Sequence, residues 1–169
     1  MVRRTLSVAV VVVTALLLQS TVFADLRLLG VRPELMYLVT ISFALLEGPN
    51  EGAIVGFAGG LAQDFLLNEP KGITALTLTL VGYAVGMSRQ YIVSPSPLIP
   101  TIVVAIGTAV GVGFYEVVSF LLGAFDQPAT LGVRVALLAA LYNAVLTPIL
   151  YPLLRRISEG SRPRRVVRF

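Results

Sequence analysis

The chain has 169 residues, of which 56% are hydrophobic and 13% charged, and its formal net charge is +4. Its mean hydropathy of +0.87 is far above that of a domain with a water-facing polar surface, so the composition excludes that class and indicates a bundle of membrane helices. The chain contains no cysteine and no histidine, which excludes disulfides and thiol chemistry and removes the usual general base and the commonest metal ligand.

Six apolar stretches follow one another along the chain with short connections. Crossing about 30 Å of hydrocarbon takes roughly 20 helical residues at about 1.5 Å each. In chain order the predicted spans are Thr5 to Ala24, Leu35 to Leu46, Gly52 to Leu67, Gly72 to Ser88, Leu98 to Phe125 and Leu131 to Leu154. The sequence therefore predicts an all-α integral membrane protein, with one bundle of six transmembrane helices over residues 1–154 and a basic tail over residues 155–169.

The second and third spans are less clear than the other four. The second reaches the required length only if it begins at Pro33 and includes Glu34 and Glu47, and the third has Asp64 near its end. These two segments could instead be short, or form a re-entrant hairpin within the protein, where neighbouring helices satisfy the backbone. In either case the number of crossings stays even, which predicts that both termini lie on the same side.

The distribution of basic residues predicts which side this is. With six spans, nine of the thirteen basic residues fall on one side of the membrane. They are Arg3, Arg4, Arg89, Arg155 and Arg156 together with Arg162, Arg164, Arg165 and Arg168 of the tail. Because basic residues close to span ends are retained in the cytoplasm, both termini are predicted to be cytoplasmic. The tail could also contact anionic lipid headgroups, and the positive charge does not indicate nucleic-acid binding.

The N-terminal segment permits a second interpretation. Arg3 and Arg4, the apolar run and the sequence Val22-Phe23-Ala24 before Asp25 also resemble a secretory signal with its cleavage site. The uncharged run of about 20 residues is longer than the apolar core of an ordinary signal peptide. It therefore favours a helix that stays in the membrane.

Glycines recur at intervals of four residues in three of the spans. The third span has Gly52, Gly56 and Gly60 with Gly59 beside them, the fourth has Gly82 and Gly86, and the fifth has Gly107 and Gly111. Small residues at this spacing let membrane helices approach closely. The stripes could hold the bundle together, or one of them could receive a helix from another protein, and the spacing alone does not separate these roles.

Polar residues inside apolar spans are costly in a membrane unless they have a partner. Glu116, in the fifth span, is expected to be protonated or paired with a group such as Arg134. Asp64 is expected to cap the connection that leads to Gly72, or to hold it through Lys71.

Two features of the sixth span also call for partners. Asn143 is expected to bond to another helix, and Pro148 and Pro152 to bend the last turns unless the carbonyls they free find donors.

The sequence gives little support for catalysis. Asp64 and Glu116 could in principle form an acid and base pair, but no basic cluster or metal-spaced motif accompanies them. No glycine-rich loop is followed by Lys and Ser or Thr, as a phosphate-binding loop requires. The sequence thus predicts no enzyme, no cofactor and no metal ion.

Taken together, the order of these motifs resembles the MreD family, the rod-shape-determining membrane proteins of bacteria. The resemblance rests on Glu47-Gly48-Pro49, Gly52, Gly56-Phe57, Gly60-Leu61, Asp64, Gly72, Leu76, Leu80, Gly82-Tyr83 and Gly86. Pro33 and Glu34-Leu35 before the second span, and Asn143 and Pro148 in the sixth, are also similar. The likeness covers nearly the whole chain.

The resemblance implies a non-enzymatic scaffold of the cell-wall elongation machinery in the bacterial cytoplasmic membrane. Such a scaffold binds an MreC-type protein and is linked, directly or indirectly, to the MreB-type filament and the peptidoglycan synthesis enzymes. It also implies a fold similar to the substrate-binding S-component of energy-coupling-factor transporters. The glycine faces of spans three to five would then hold the bundle and receive the partner's helix.

That fold kinship leaves an alternative function open, namely binding and uptake of a small molecule such as a vitamin. A carrier of this kind needs a buried cavity, here lined by Glu116, Asn143, Tyr115 and Tyr142. The short outer connections, with few polar residues, favour the scaffold.

Overall fold

A computed structural model describes residues 2–22, 31, 33–67, 72–91, 98–123 and 129–161 of the chain. Six α-helices and one short 3-10 turn account for nearly all of these residues. The helices are α1 (Val2–Ser20), α2 (Leu35–Glu47), α3 (Pro49–Leu66), α4 (Ile73–Ser88), α5 (Leu98–Leu121) and α6 (Ala129–Ser161), and the 3-10 turn is Arg89–Tyr91.

Each predicted span overlaps one of these helices. The largest difference is at the end of the last one, since α6 continues past the predicted end at Leu154 and through Ser161. An Arg155–Glu159 ion pair with a 2.7 Å separation of Nε and Oε1 supports this extra helix, because residues four apart face each other on a helix. The predicted ends of the first and fifth spans, at Ala24 and Phe125, lie outside the described residues, as does the tail beyond 161.

Helix α2 is enclosed by the rest of the bundle. Twelve of its thirteen residues, Leu35 through Leu46, are buried, and only the last, Glu47, is partly exposed. Its sequence is apolar on every side, as expected for a helix that contacts protein all round. A helix of this length covers about 20 Å, so burial in protein explains why it can be shorter than a lipid-facing span.

The other five helices surround α2 in a ring. Going round the ring the order is α1, α3, α4, α5 and α6, and α6 returns to contact α1. Each of the five also contacts α2. The closest pairs are the two hairpins α3–α4 and α5–α6, whereas α1 packs more loosely against its neighbours.

The chain reverses direction between α2 and α3 at a single residue. Gly48 has φ +104°, a left-handed conformation that side chains rarely adopt, and Pro49 begins α3 directly after it. The two helices consequently pack side by side, with Ala44 of α2 close to Gly52 of α3.

The ring helices expose apolar rows on their outer sides. On α4 the row is Leu76, Leu80, Tyr83 and Met87, and on α6 it is Leu137, Leu141, Val145, Ile149 and Leu153. Similar rows run along α1, α3 and α5. Soluble proteins seldom expose contiguous apolar patches larger than a few hundred square ångströms, so this surface is suited to lipid.

Two of the described helices, Leu98–Leu121 and Leu131–Gly160, are long and apolar enough to cross a membrane by length and composition. Thr5–Ser20 and Leu35–Glu47 are shorter apolar helices. Six helices are therefore observed among the described residues, while the crossing of the membrane by all six stays a prediction.

Candidate functional site

The glycines of α3 and α4 form a seam at which the two backbones touch. A Cβ atom added to Gly52 would lie 2.6 Å from the carbonyl oxygen of Gly82, and one added to Gly60 would lie 2.6 Å from Cα of Ala75. Added Cβ atoms on Gly56, Gly82 and Gly86 would meet the backbone of the opposite helix even more closely. Only glycine permits this approach, because no neighbouring atom can move away without shifting a helix.

The remaining glycines of the stripes face α2. Gly59 lies against Met36, Gly107 against Ile41 and Gly111 against Tyr37. All eight glycines singled out in the sequence thus lie against the chain's own helices. A helix from another protein could occupy these faces only if the present neighbours moved away.

Polar side chains from four ring helices meet at the start of α2. Gln19 of α1 and Gln63 of α3 both donate to Oε2 of Glu34, over 3.2 and 3.3 Å. Asn143 of α6 donates to the carbonyl oxygen of Glu34 over 2.9 Å and to Oγ1 of Thr108, on α5, over 3.0 Å. We call these five residues the polar layer. It joins four separate helices to the residue that precedes α2.

Helix α2 is capped from another helix. Glu34, its N-cap residue, makes no side-chain capping bond. Instead, the backbone N–H of Met36 donates to Oε1 of Gln19 over 3.3 Å. The first N–H groups of a helix lack partners within it, and leaving them unpaired inside a membrane bundle would be costly. Gln19 therefore contributes both to the cap and to the bond with Glu34.

Asp64 lies beside the polar layer at the turn between α3 and α4. Its Oδ2 atom accepts hydrogen bonds from the backbone N–H groups of Gly72, over 2.7 Å, and of Ala75, over 3.4 Å. The carboxylate thus binds the N-terminus of α4, which is the contact with Gly72 expected from the sequence. The alternative contact through Lys71 lies outside the described residues.

Glu116 is partly buried in the C-terminal half of α5. Its side chain packs against α6, where an added Cβ atom on Gly132 would lie 3.5 Å from Cγ of Glu116. Arg134 is exposed on α6, and the pairing of Glu116 with Arg134 stays a prediction.

Pro148 and Pro152 lie within α6 without ending it. Both are exposed, and the helix is continuous from Ala129 to Ser161. Close to Pro148, the hydroxyl of Thr147 donates to the carbonyl oxygen of Asn143 over 2.5 Å. The side-chain amide of Asn143 in turn donates to Thr108 of α5. The turn of α6 that precedes Pro148 is therefore joined to the polar layer.

At the opposite end of α2, charged residues of α2, of the 3-10 turn and of α6 lie at one end of the bundle. Glu47 accepts a hydrogen bond from Ser158, and Arg89 lies beside Gly48. Arg155 and Arg156, also at this end of α6, are exposed. The structure thus brings Arg89, Arg155 and Arg156 to one end of the bundle, whereas the side chains of Arg3 and Arg4 lie outside the described residues.

Of the polar layer, only Asn143 was predicted from the sequence to bond to another helix. Glu34 was noted only at the start of the second span, and Gln19, Gln63 and Thr108 were not singled out, although Gln19 and Gln63 are amide side chains in apolar helices. Such residues are expensive in a membrane, and that cost is the signal that could have identified them. Which groups they bond to depends on the order of helices round the ring.

The exposed surface is apolar, polar groups are buried, and helix backbones touch at glycines. These features define an α-helical membrane protein whose polar residues hold its helices together. The comparison with family models agrees with this class, since the model for "rod shape-determining protein MreD" matches residues 2–157. The chain belongs to the MreD family, and its role is in rod shape determination. The comparisons with curated proteins and with solved structures give no match.

The glycine seam predicts that two glycine-to-alanine substitutions differ in their effect on stability. Gly56→Ala should lower the free energy of unfolding by about 1–3 kcal/mol or more, because its Cβ would press on the backbone at Leu78. Gly113→Ala is the matched control in α5, where an added Cβ meets nothing within 4 Å. It should leave stability unchanged or raise it by up to about 1 kcal/mol, since alanine favours helix. Thermal unfolding in detergent measures both, and equal effects would contradict the seam.

The polar layer predicts an energetic coupling between Asn143 and Thr108. In a double-mutant cycle of Asn143→Ala and Thr108→Val, the coupling should be about 0.6 kcal/mol and should not exceed about 1.7 kcal/mol, which are the average and the largest values for hydrogen bonds between membrane helices. The measurement is unfolding of the four variants in the same detergent. As a control, a cycle of Asn143→Ala with Val145→Ala, an exposed position on the same helix, should give no coupling. A coupling of zero between Asn143 and Thr108 would refute the hydrogen bond.

Proposed function

We propose that the protein is a non-enzymatic scaffold of the cell-wall elongation machinery in the bacterial cytoplasmic membrane. It binds an MreC-type protein and links it, directly or indirectly, to the MreB-type filament and the enzymes of peptidoglycan synthesis. The observation that carries this proposal is the family match over residues 2–157.

The use made of polar groups supports a scaffold. Glu34, Gln63, Asp64 and Asn143 bond to the protein itself and hold helices in position. The surface presents mainly apolar side chains on its helical sides. A protein with these properties acts through shape and through association with other membrane helices.

The glycine faces are occupied by the chain's own helices, so a partner's helix is proposed to bind an exposed apolar row instead. The candidate rows are those of α3, α4, α5 and α6, represented by Ile54, Leu80, Val110 and Leu137. Large side chains in such rows can pack against another helix by dispersion, as they do within a bundle.

Rod-shape complementation tests the function, and co-purification locates the surface. In a rod-shaped bacterium that lacks its MreD-family protein, the wild-type chain should restore rod shape and co-purify from membranes with the MreC-type protein. Single substitutions to Trp at Ile54, Leu80, Val110 and Leu137 should leave the fold intact. In one of these variants, co-purification of the partner and restoration of rod shape should be lost together.

Two outcomes of this experiment are decisive. Rod cells without co-purification of the MreC-type protein would contradict direct binding, and round cells with a stably inserted wild-type chain would contradict the scaffold function. Gly113→Ala serves as the neutral variant, because its added methyl group meets no neighbour within 4 Å.

We also propose that all six helices cross the membrane, with both termini in the cytoplasm and a fold similar to that of the S-components. The contacts support alternation of the helices. Gln19, near the end of α1, bonds at the start of α2, and Glu47, at the end of α2, bonds to Ser158 near the end of α6. The beginning of α1 and the end of α6 are thus at the same end of the bundle, together with Arg89 and Arg155.

Reporter fusions test this topology. Green fluorescent protein fused after Phe169 should fluoresce and alkaline phosphatase at the same site should be inactive, because the fusion point is proposed to be cytoplasmic. Fusions at Asn68, in the connection between α3 and α4, should show the opposite pattern. Active phosphatase at the C-terminus would overturn the proposed orientation.

A further inference from the structure

The end of the bundle that carries Arg89 contains an exposed cation over the turn between two helices. Arg89 begins the 3-10 turn after α4, and its Nη1 atom is 3.7 Å from the point where a Cβ on Gly48 would lie. The guanidinium thus lies over the α2–α3 turn. Tyr151 lies one turn before Arg155 on α6, so their side chains share a face, and the bond between Glu47 and Ser158 places this part of α6 at the same end of the bundle as Arg89.

Arg89 is exposed, and it makes no hydrogen bond or ion pair with any residue that the structure describes. The nearby acids, in contrast, are bonded to other groups. Glu159 pairs with Arg155, and Glu47 accepts from Ser158. An anion that approached Arg89 would therefore add a partner without displacing one.

Apolar rows lead to this position along two helices. Tyr83 and Met87 are exposed on α4 just before Arg89, and Ile149 and Leu153 are exposed on α6 just before Arg155. Tyr91, which is 82% exposed, follows Arg89 in the 3-10 turn and is of the residue type enriched at membrane–water interfaces. The arginines thus lie where acyl chains end and headgroups begin.

We propose that Arg89, with Tyr151 and Arg155, binds the phosphate of an anionic phospholipid. The guanidinium fork of arginine matches two phosphate oxygens, and the phenol of Tyr151 supplies a further donor. The acyl chains lie along the apolar rows of α4 and α6. This inference depends on the membrane location and does not depend on the proposed protein partners.

Native mass spectrometry of the full chain in detergent tests the site, with dioleoyl phosphatidylglycerol as the probe and dioleoyl phosphatidylcholine as the neutral reference. The wild type should retain phosphatidylglycerol preferentially, and Arg89→Gln should weaken that retention about fivefold, as expected for one arginine at a membrane surface. Arg155→Gln should weaken phosphatidylglycerol retention more than Arg89→Gln does, because it removes a positive charge and also releases the carboxylate of Glu159 from its ion pair.

The matched control is Arg156→Gln, which removes the same charge from an exposed arginine that lies about 100° round α6 from Arg155. It should retain phosphatidylglycerol as the wild type does. Equal losses in Arg89→Gln and Arg156→Gln would show a diffuse charge effect and overturn the site.

Two further results would also overturn the lipid assignment. One is displacement of phosphatidylglycerol by equimolar glycerol 3-phosphate, which would indicate a soluble phosphate ligand. The other is unchanged lipid retention in Arg89→Gln together with loss of a co-purifying protein, which would indicate an acidic protein segment. Circular dichroism confirms that each variant is folded.

Discussion

The enclosure of α2 by five other helices is the constraint on which the rest of the structure depends. A helix of thirteen residues buried through Leu46 has no lipid or water along its sides, so each group at its ends must find a partner in the protein. Glu47 bonds to α6 at one end. At the other, Gln19 supplies the cap and Asn143 binds the carbonyl of Glu34. The polar layer is a consequence of burying α2.

The glycine seam brings two of the surrounding helices into direct contact. The backbones of α3 and α4 approach more closely than side chains normally permit, through Gly52, Gly56, Gly60 and Gly82. In lipid, helices gain little from hydrophobic burial, so contact at short distance and hydrogen bonds supply the association. Substitution in the seam would therefore act on the whole ring.

The sequence predicted the elements well because apolar runs and their breaks at glycine, proline and charge are local features. It also predicted, as one of two alternatives, that Asp64 caps the connection leading to Gly72, since both residues flank that short connection. The partners of Asn143 and the role of Gln19 could not be predicted in this way. Gln19 and Met36 are separated by a connection whose path the residues do not determine, and Asn143 lies 109 positions from Glu34.

The glycine stripes could pack the bundle or receive a partner's helix, and these two roles compete for the same space. A stripe that lets α3 contact the backbone of α4 is filled by that contact, so it offers nothing to a further helix unless the hairpin opens. Opening would remove the neighbours of Gly56 and Gly60 and also disturb Asp64, whose bonds join the two helices. Because that cost falls on several contacts at once, association with a partner is more readily achieved by large apolar side chains that already face outward, such as Ile54 on the far side of α3.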